Sequence, residues 1–243
     1  MTVGKPMKML LNFTIPVFLG NVFQQLYSMA DAVIVGKFVG TKGLAAVGAT
    51  GTITFLIIGF LMGVTTGVTV LTSQKFGAGR MDEMRKTVGN AAILSAVIAV
   101  VMTAVSMLGM HRLLVFMHTP EDIFDGAYGY IMIICAGIFT QVLYNLVSSI
   151  LRALGNSKTP LYFLILAAGL NIVLDLVFII FFHWGAPGAA WATVISQGVS
   201  GVLCLIYMWK AVPELKMKKE DWYFNLDIAV KQISVGIPMG LQY

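Results

Sequence analysis

Residues 160–182 read PLYFLILAAGLNIVLDLVFIIFF, an apolar run in which Asp175 is the single charged residue. A helix that crosses a bilayer needs about 20 such residues. The whole chain has the same character, because 58% of its 243 residues are hydrophobic and only 11% are charged, against about 25% charged residues in ordinary soluble domains. We therefore expect an all-α membrane protein. The composition argues against soluble enzymes, nucleic-acid binders and disordered tails.

Further apolar runs predict additional membrane-spanning helices on both sides of this one. The six predicted spans cover residues 10–36, 44–74, 87–110, 124–151, 160–182 and 187–209. A seventh apolar segment begins near residue 227. The chain is therefore predicted to contain a six-helix transmembrane bundle (1–209), a linker (210–226) and the start of a seventh helix (227–243).

The basic residues are distributed unevenly across these spans, and their distribution predicts the orientation. Thirteen of the sixteen lysines and arginines lie on one side, whereas Lys37, Lys42 and Arg112 lie on the other. Because cytoplasmic loops carry an excess of basic residues, we expect a cytoplasmic N-terminus and a cytoplasmic linker in a multi-pass protein of the cell inner (plasma) membrane. The lysines within residues 216–219 fit a solvated linker, and binding of anionic lipid is the alternative.

Two acidic residues lie inside predicted spans, whereas the other nine of the eleven lie in connections or at helix starts. Asp31 falls in the last third of the first span and Asp175 near the middle of the fifth. A carboxylate at membrane depth costs about 2.5 kcal/mol or more, so it usually faces a protein interior or a water-filled cavity. Because burial also raises the affinity of a carboxylate for a proton, the two aspartates predict a coupling-ion or substrate site.

Polar residues accompany both aspartates. Asn171 lies one turn before Asp175, so its amide can donate to the carboxylate. The polar residues of the first span within three turns of Asp31 include Asn21, Gln24, Tyr27 and Ser28. All but the tyrosine follow the three-to-four spacing that ends on Asp31, which predicts a polar stripe facing a cavity. The alternative is that these residues only tie helices together, an effect worth about 0.6 kcal/mol per pair.

A proline lies inside the first span. Pro16 removes one backbone hydrogen bond and favours a kink in the helix. Together with Gly20 it fits a hinge, and a static bend is an equal alternative. Elsewhere, Cys135 and Cys204 each lie alone within an apolar run, whereas disulfide frameworks and metal sites need closer or more numerous ligands. The sequence therefore predicts no metal site.

The seventh segment is similar to the first span. The pair Ile237-Pro238 matches Ile15-Pro16 at an offset of 222 residues, and a polar Gln and Tyr follow in both segments. With six spans between them, the two segments would run in the same direction through the membrane, as in transporters built from parallel halves. We therefore expect a complete protein of about 440–460 residues whose first half is this chain.

Four short motifs follow one another along the chain. They are Ile15-Pro16 with Asp31, then Gly77-Ala78-Gly79, then Leu151-Arg152-Ala153-Leu154-Gly155-Asn156 with Thr159-Pro160, and Asn171-Ile172-Val173-Leu174-Asp175. In this order and at these spacings the chain resembles the multidrug and toxic compound extrusion (MATE) transporters, in particular their DinF-like branch. The resemblance implies twelve helices in two six-helix bundles, with this chain supplying the first bundle and the start of the second.

The resemblance also assigns roles to particular residues. The coupling site of the DinF-like branch matches five positions of this sequence, namely Asp31, Tyr130, Asn171, Asp175 and Thr193. A family asparagine in the fourth helix has Ser148 as its counterpart here, with Asn145 one turn earlier. Asn145 and Ser148 therefore join the polar residues of the first span as predicted cavity residues.

The activity implied by the resemblance is export of organic, often cationic, compounds, driven by inward flow of protons or sodium ions. We expect no cofactor beyond this coupling ion and no nucleic acid as a partner. The expected partners are small organic cations as substrates, membrane lipid, and the C-terminal six-helix bundle of the same full-length chain. The leading hypothesis is therefore a cation-coupled multidrug exporter.

Two other functions remain open. A lipid-linked oligosaccharide flippase of the same superfamily would need basic residues in its central cavity to hold pyrophosphate, and no Lys or Arg lies deep in a predicted span. An intramembrane aspartyl protease also shares a proton between two aspartates. Its Gly-x-Gly-Asp pattern, however, is absent around both Asp31 and Asp175.

Overall fold

The computed structural model describes residues 6–242, without the side chains of residues 6, 8 and 9. Eight α-helices follow one another in the described residues: α1 (Pro6–Phe38), α2 (Thr41–Gly77), α3 (Met81–Phe116), α4 (Glu121–Ala136), α5 (Ile138–Ala153), α6 (Lys158–Leu176), α7 (Gly185–Ala211) and α8 (Leu226–Gly240). A π-helical turn, Val177–Phe181, extends α6. Lys5, the side chain of Lys8, and Tyr243 contribute to the predicted orientation or domain limits and lie outside the described residues.

The helices correspond to the predicted spans, and the all-α bundle fold is confirmed. The first three predicted spans are α1, α2 and α3, the fourth is α4 with α5, and the fifth and sixth are α6 and α7. α8 begins at Leu226, beside the predicted start of the seventh segment. The cytoplasmic location of the linker and the division into bundles stay predictions.

Length and apolar composition identify the helices that can cross a membrane. Four helices of the described residues qualify, namely α2, α3, α6 with its π-helical turn, and α7, and a fifth span results when α4 and α5 are taken together. α1 is 33 residues long and is not in that set. It carries the polar residues predicted to form the stripe, and a helix with such a face suits contact with other helices more than contact with lipid on all sides.

The fourth span differs from the single predicted helix. α4 and α5 meet at Gly137 with a bend of 46°. A Cβ on Gly137 would lie 2.8 Å from Cγ1 of Val194 in α7, far inside ordinary van der Waals contact. α7 therefore approaches the backbone at the break more closely than any side chain would permit. A glycine in a helix interior also weakens the helix by about 0.5–1 kcal/mol relative to alanine.

α7 contacts three other helices extensively. It packs against α4, α5 and α6, while α1 packs mainly against α6. Two apolar cores fill the bundle, one around Leu61 and Ile131 and the other around Val68 and Leu151. The outward faces carry large exposed apolar side chains, such as Leu108 with 84% of its surface exposed. Such a surface is stable in a bilayer and not in water.

α8 packs closely along α2 through glycines. Gly63 and Gly67 of α2 face Gly240 and Gly236 of α8, and a Cβ on Gly67 would lie 2.5 Å from the Cα of Gly236. Paired small residues four positions apart are a common way for membrane helices to bring their backbones together. Glycine spacing therefore fixes the position of α8 on the bundle.

A buried glutamine reinforces this contact. Gln232 of α8 is 1% exposed, and its Nε2 donates to the carbonyl oxygens of Val68 at 3.1 Å and Thr87 at 2.9 Å. Its Oε1 accepts a hydrogen bond of 2.9 Å from Nδ2 of Asn90 in α3. The side chain of Gln232 thus links α8 to both α2 and α3.

Candidate functional site

The two predicted aspartates meet inside the bundle. Asp31 lies on α1 and is 8% exposed, and Asp175 lies on α6 and is fully buried. Because α1 packs against α6, the two carboxyl groups lie close enough to interact directly with each other. The sequence placed each aspartate at membrane depth, and the helix packing brings them together.

The two carboxyl groups lie within hydrogen-bonding reach of each other and have few other partners. Both carboxyl oxygens of Asp175 and Oδ1 of Asp31 are buried without a hydrogen-bond partner among the described residues. An isolated buried carboxylate is very costly, so such a group takes up a proton or pairs with a cation. The chemistry open to this pair is therefore the binding of a proton or a small monovalent cation between its oxygens.

Polar side chains from four helices surround the pair. Tyr27 of α1 and Tyr130 of α4 each interact electrostatically with both aspartates. Tyr27 also lies beside Thr193 of α7. Hydroxyl and amide groups near a carboxyl pair can ligate an ion or hold the carboxyl groups in position. The structure thus brings together all five positions that the family resemblance assigned, with Tyr27 in addition.

Asn171 has a different partner from the predicted one. Its Nδ2 donates to Oγ1 of Thr193 at 3.3 Å, and its Oδ1 has no hydrogen-bond partner among the described residues. The expectation that this amide donates to Asp175 was therefore wrong. Helical spacing places Asn171 and Asp175 on one side of α6, but the neighbouring threonine of α7 offers the amide a closer acceptor.

A small polar cavity lies between α1, α5, α6 and α7. Its volume is about 50 Å³, and the predicted residues that line it are Pro16, Gly20, Asn21, Gln24 and Asn145. Nδ2 of Asn145 donates to the carbonyl oxygen of Gln141 at 2.9 Å. The predicted cavity therefore exists in this bundle, but it has room for little more than water.

Besides Tyr27, which lies beside the two aspartates, two more predicted cavity residues lie outside the polar cavity. Ser28 is exposed, and its Oγ donates to the carbonyl oxygen of Gln24 at 3.0 Å, while the side chain faces an open groove along the outside of α1. Ser148 is 1% exposed and its Oγ has no hydrogen-bond partner among the described residues. Neither residue lines the polar cavity, so the predicted stripe on the first span faces two different surroundings.

Several cavity residues were missed at the level of sequence. They are Gln141, Tyr144, Arg152, Ser157 and Gln197. The spacing of Gln141 one turn before Asn145 was a signal that could have been used. Arg152 was counted as a residue of a connection, yet its side chain reaches the cavity and donates to Oγ of Ser149 at 3.0 Å. The cavity therefore contains a basic group as well as amides.

The proposed hinge of α1 is helical. Pro16 is buried within a helix that continues on both sides of it, and a Cβ on Gly20 would meet Cδ2 of Leu164 at an ordinary distance of 3.7 Å. Close packing therefore does not require glycine at position 20. The choice between a hinge and a static bend stays open.

The described residues offer no cluster of three or more His, Cys, Asp or Glu side chains that could hold a metal ion. Cys135 and Cys204 are both buried and free. The two aspartates supply four carboxyl oxygens, which is fewer than the six to eight oxygens that Ca²⁺ takes. The site geometry thus favours a proton or a monovalent cation.

Comparison with known proteins identifies the family. The family model MatE matches residues 16–177. The probable multidrug resistance protein YpnP of Bacillus subtilis (strain 168) is 32% identical over 99% of this chain and 54% of its own length. YoeA of the same organism, also a probable multidrug resistance protein, is 29% identical over 94% of this chain and 51% of its own length.

A solved structure has the same fold. It is the outward-facing conformation of a multidrug resistance MATE family transporter of the MOP superfamily, with a TM-score of 0.89 and 28% identity over 98% of this chain and 53% of that chain. This chain thus spans about half the length of the relatives it matches. Because those relatives are transporters, the protease interpretation of the two aspartates is not supported. The chain belongs to the MatE family of membrane transporters.

Proposed function

We propose that the full-length protein is an antiporter that exports organic, cationic compounds in exchange for protons or sodium ions, with ion coupling at Asp31 and Asp175. The observation that carries this proposal is the contact between two buried aspartates, three of whose four carboxyl oxygens have no hydrogen-bond partner among the described residues. Acidic residues inside a membrane are expensive and mark ion or proton pathways.

The two aspartates connect ion binding to helix packing. A proton or sodium ion bound between Asp31 and Asp175 removes the repulsion between two carboxylates on neighbouring helices, α1 and α6. An empty, charged pair favours an arrangement in which the helices admit water or a cationic substrate. Exchange then follows when ion and substrate prefer opposite states of the transporter, because a ligand shifts an equilibrium only through its differential affinity.

The polar cavity is too small to hold a drug-sized substrate. Pockets for drug-sized molecules have volumes of about 300–1,000 Å³, whereas the polar cavity beside Asn21, Gln24 and Asn145 has about 50 Å³. We therefore place the substrate between this bundle and the C-terminal six-helix bundle of the full-length chain. The exposed face of α1 that carries Ser28 would then contribute to the wall of that larger cavity.

The chain is part of a multi-pass membrane protein. We propose that the membrane is the cell inner (plasma) membrane and that the N-terminus and the linker are cytoplasmic, on the basis of the excess of basic residues on that side. Membrane lipid covers the exposed apolar faces, and the coupling ion is the only small ligand required besides the substrate.

One observation favours a second candidate, a lipid-linked oligosaccharide flippase. Arg152 lines the polar cavity together with amide side chains, and an arginine can bind a phosphate group in a bidentate manner. A single basic residue at the end of α5 supplies less charge than a pyrophosphate carries. The exporter therefore remains the better proposal.

Reconstitution of the full-length protein in liposomes tests the proposal. Efflux of a cationic dye is measured with an imposed pH gradient and, separately, with an imposed sodium gradient. We expect Asp31→Asn and Asp175→Asn each to lower gradient-driven efflux more than about tenfold, within the usual range of coupling between sites. The control is Asp125→Asn, the same change at an exposed position of α4.

Ion binding provides a second measurement. Ligand binding to the folded state raises the unfolding temperature, so the driving ion should stabilise the unaltered protein and not the Asp175→Asn variant. Unchanged efflux in both aspartate variants would refute the coupling site. Transport of a lipid-linked oligosaccharide that depends on Arg152 and needs no ion gradient would favour the flippase.

A further inference from the structure

An apolar cavity of about 350 Å³ lies on the side of the bundle away from the two aspartates. It is bounded by α3, α5, α7 and the linker, and Ser95 is the one residue with a hydroxyl group or a formal charge among those that line it. Its volume falls within the range of about 300–1,000 Å³ that is usual for ligand sites. An apolar ligand would therefore fill it.

The residues of α5 that line the cavity extend over about three turns of the helix. Its wall on α5 extends from Phe139 to Ile150, which corresponds to about 16 Å along the helix. The hydrocarbon core of a bilayer is about 30 Å thick, so the cavity matches the depth of a single leaflet. Ala96 and Phe139, which line the cavity, are exposed on the surface of this bundle.

The end of the cavity is closed by a fixed part of the linker. Leu215, Met217 and Trp222 form this end, and Leu215 is 2% exposed. Asp221 holds the linker in place, because its Oδ2 accepts a hydrogen bond of 2.8 Å from the backbone nitrogen of Lys218 and lies 3.7 Å from Nε of Arg85. The closed end is therefore built into the fold.

The linker at this closed end carries exposed lysines that are interleaved with acidic residues. Lys216 and Lys218 are exposed and directly follow the lining residues Leu215 and Met217 in sequence. Trp209, which also lines the cavity, is 65% exposed, and tryptophans of this kind lie at the level of lipid headgroups. Basic residues at that level attract anionic lipids. The cavity therefore offers apolar walls at leaflet depth and ammonium groups where a headgroup would lie.

We propose that this cavity is a binding site for an anionic phospholipid of the cytoplasmic leaflet. One acyl chain lies between α3 and α5, and the phosphate contacts Lys216 and Lys218. The bound lipid fills the space beneath the linker and fastens the linker to the bundle. This site is separate from the aspartate pair and does not depend on which ion or substrate the protein uses.

Native mass spectrometry of the purified full-length protein tests this site. The protein is titrated with phosphatidylglycerol and, in parallel, with phosphatidylcholine of the same acyl chains. We expect one phosphatidylglycerol to be retained with at least about tenfold higher affinity, because lysines near the headgroup attract the anionic lipid. Equal retention of both lipids, or retention of detergent alone, would overturn the proposal.

Two sets of variants separate the acyl-chain contact from the headgroup contact. The double variant Ala92→Phe/Ala96→Phe fills the cavity and should abolish retention, whereas Ala104→Phe makes the same change on an exposed part of α3 outside the cavity and should not. The double variant Lys216→Gln/Lys218→Gln should remove the preference for phosphatidylglycerol.

The matched control for the lysines is Lys158→Gln/Lys231→Gln, which removes the same charge from exposed positions on other helices. Circular dichroism establishes that each variant keeps its helix content. If the cavity-filling variant retains as much phosphatidylglycerol as Ala104→Phe, the lipid binds elsewhere and the assignment of the cavity is wrong.

Discussion

Gly67→Ala should destabilise the protein although alanine is the better helix former. A Cβ on Gly67 would lie 2.5 Å from Cα and 2.9 Å from the backbone nitrogen of Gly236 in α8. Favourable contacts between carbon atoms are about 3.5–4.0 Å, so α2 and α8 must move apart by about 1 Å at this point. Both neighbouring atoms belong to the backbone, and no side chain can rotate away to relieve the contact.

The expected change in stability of Gly67→Ala is the sum of two opposing contributions. Overpacking of a well-packed contact costs about 1–3 kcal/mol, and replacing glycine by alanine inside a helix returns about 1 kcal/mol. Because both contacts are with backbone atoms, the overpacking cost lies in the upper part of this range, about 2–3 kcal/mol. The net destabilisation should thus be about 1–2 kcal/mol, which lowers the unfolding temperature by about 2–8 °C. Gly51→Ala provides the matched control in the same helix, because a Cβ there would meet nothing within 4 Å.

The control should change stability in the opposite direction. With no new contact, Gly51→Ala keeps only the gain in helix propensity and should raise the unfolding temperature by about 2–4 °C. Both variants are measured in the full-length protein in detergent by circular dichroism, at one scan rate because membrane proteins often unfold irreversibly. Equal shifts in the two variants, or a rise for Gly67→Ala, would show that α8 does not pack against α2 in this way.

Two further predictions concern the attachment of α8. Gln232→Leu leaves the fully buried amide of Asn90 without its acceptor and should destabilise the protein by about 1–3 kcal/mol, whereas Gln25→Leu on the exposed face of α1 should have little effect. Asn225 caps α8 by accepting a hydrogen bond of 3.1 Å from the backbone nitrogen of Ile228. Asn225→Ala should therefore cost about 1 kcal/mol, measured as a lower unfolding temperature, and Asn225→Asp should retain the cap; equal losses in the two would contradict this role.

The spans could be predicted because a run of about 20 apolar residues has few alternatives to a membrane helix. The break at Gly137 could not be predicted, since an isolated glycine is tolerated within many helices. What singles out this glycine is the side chain of Val194, which lies against it from α7. That contact joins residues far apart in the sequence, and helix periodicity carries no information about it.

The residues of the site could be predicted only in part from the sequence. Asp31 and Asp175 stand out because charged residues are rare in apolar runs, but their contact depends on the packing of α1 against α6. The partner of Asn171 depends likewise on α7, which brings Thr193 within 3.3 Å of its amide. Residues on one helix face can be deduced from spacing, whereas partners across helices require the fold.

The exposure of the polar residues on α1 follows their direction around the helix axis. With 3.6 residues per turn, the side chains of Asn21 and Asp31, which are ten positions apart, differ in direction by about 80° around the helix axis. The side chains of Ser28 and Gln24 point in directions between these two. Exposure follows this rotation: Asn21 and Ser28 are exposed, Gln24 is half-buried and Asp31 is buried. The stripe therefore runs from the outer face of the bundle into its interior.

Because of this rotation, α1 contributes residues both to the polar cavity and to the aspartate pair. Gln24 lines the polar cavity and Asp31 belongs to the aspartate pair. The two residues lie about 10 Å apart along the helix. Gln197 of α7 lines the same cavity and lies beside Tyr27, which interacts with both aspartates. Coupling between sites travels through contiguous packed groups. Residues of α1 and α7 thus connect the two aspartates to the polar cavity.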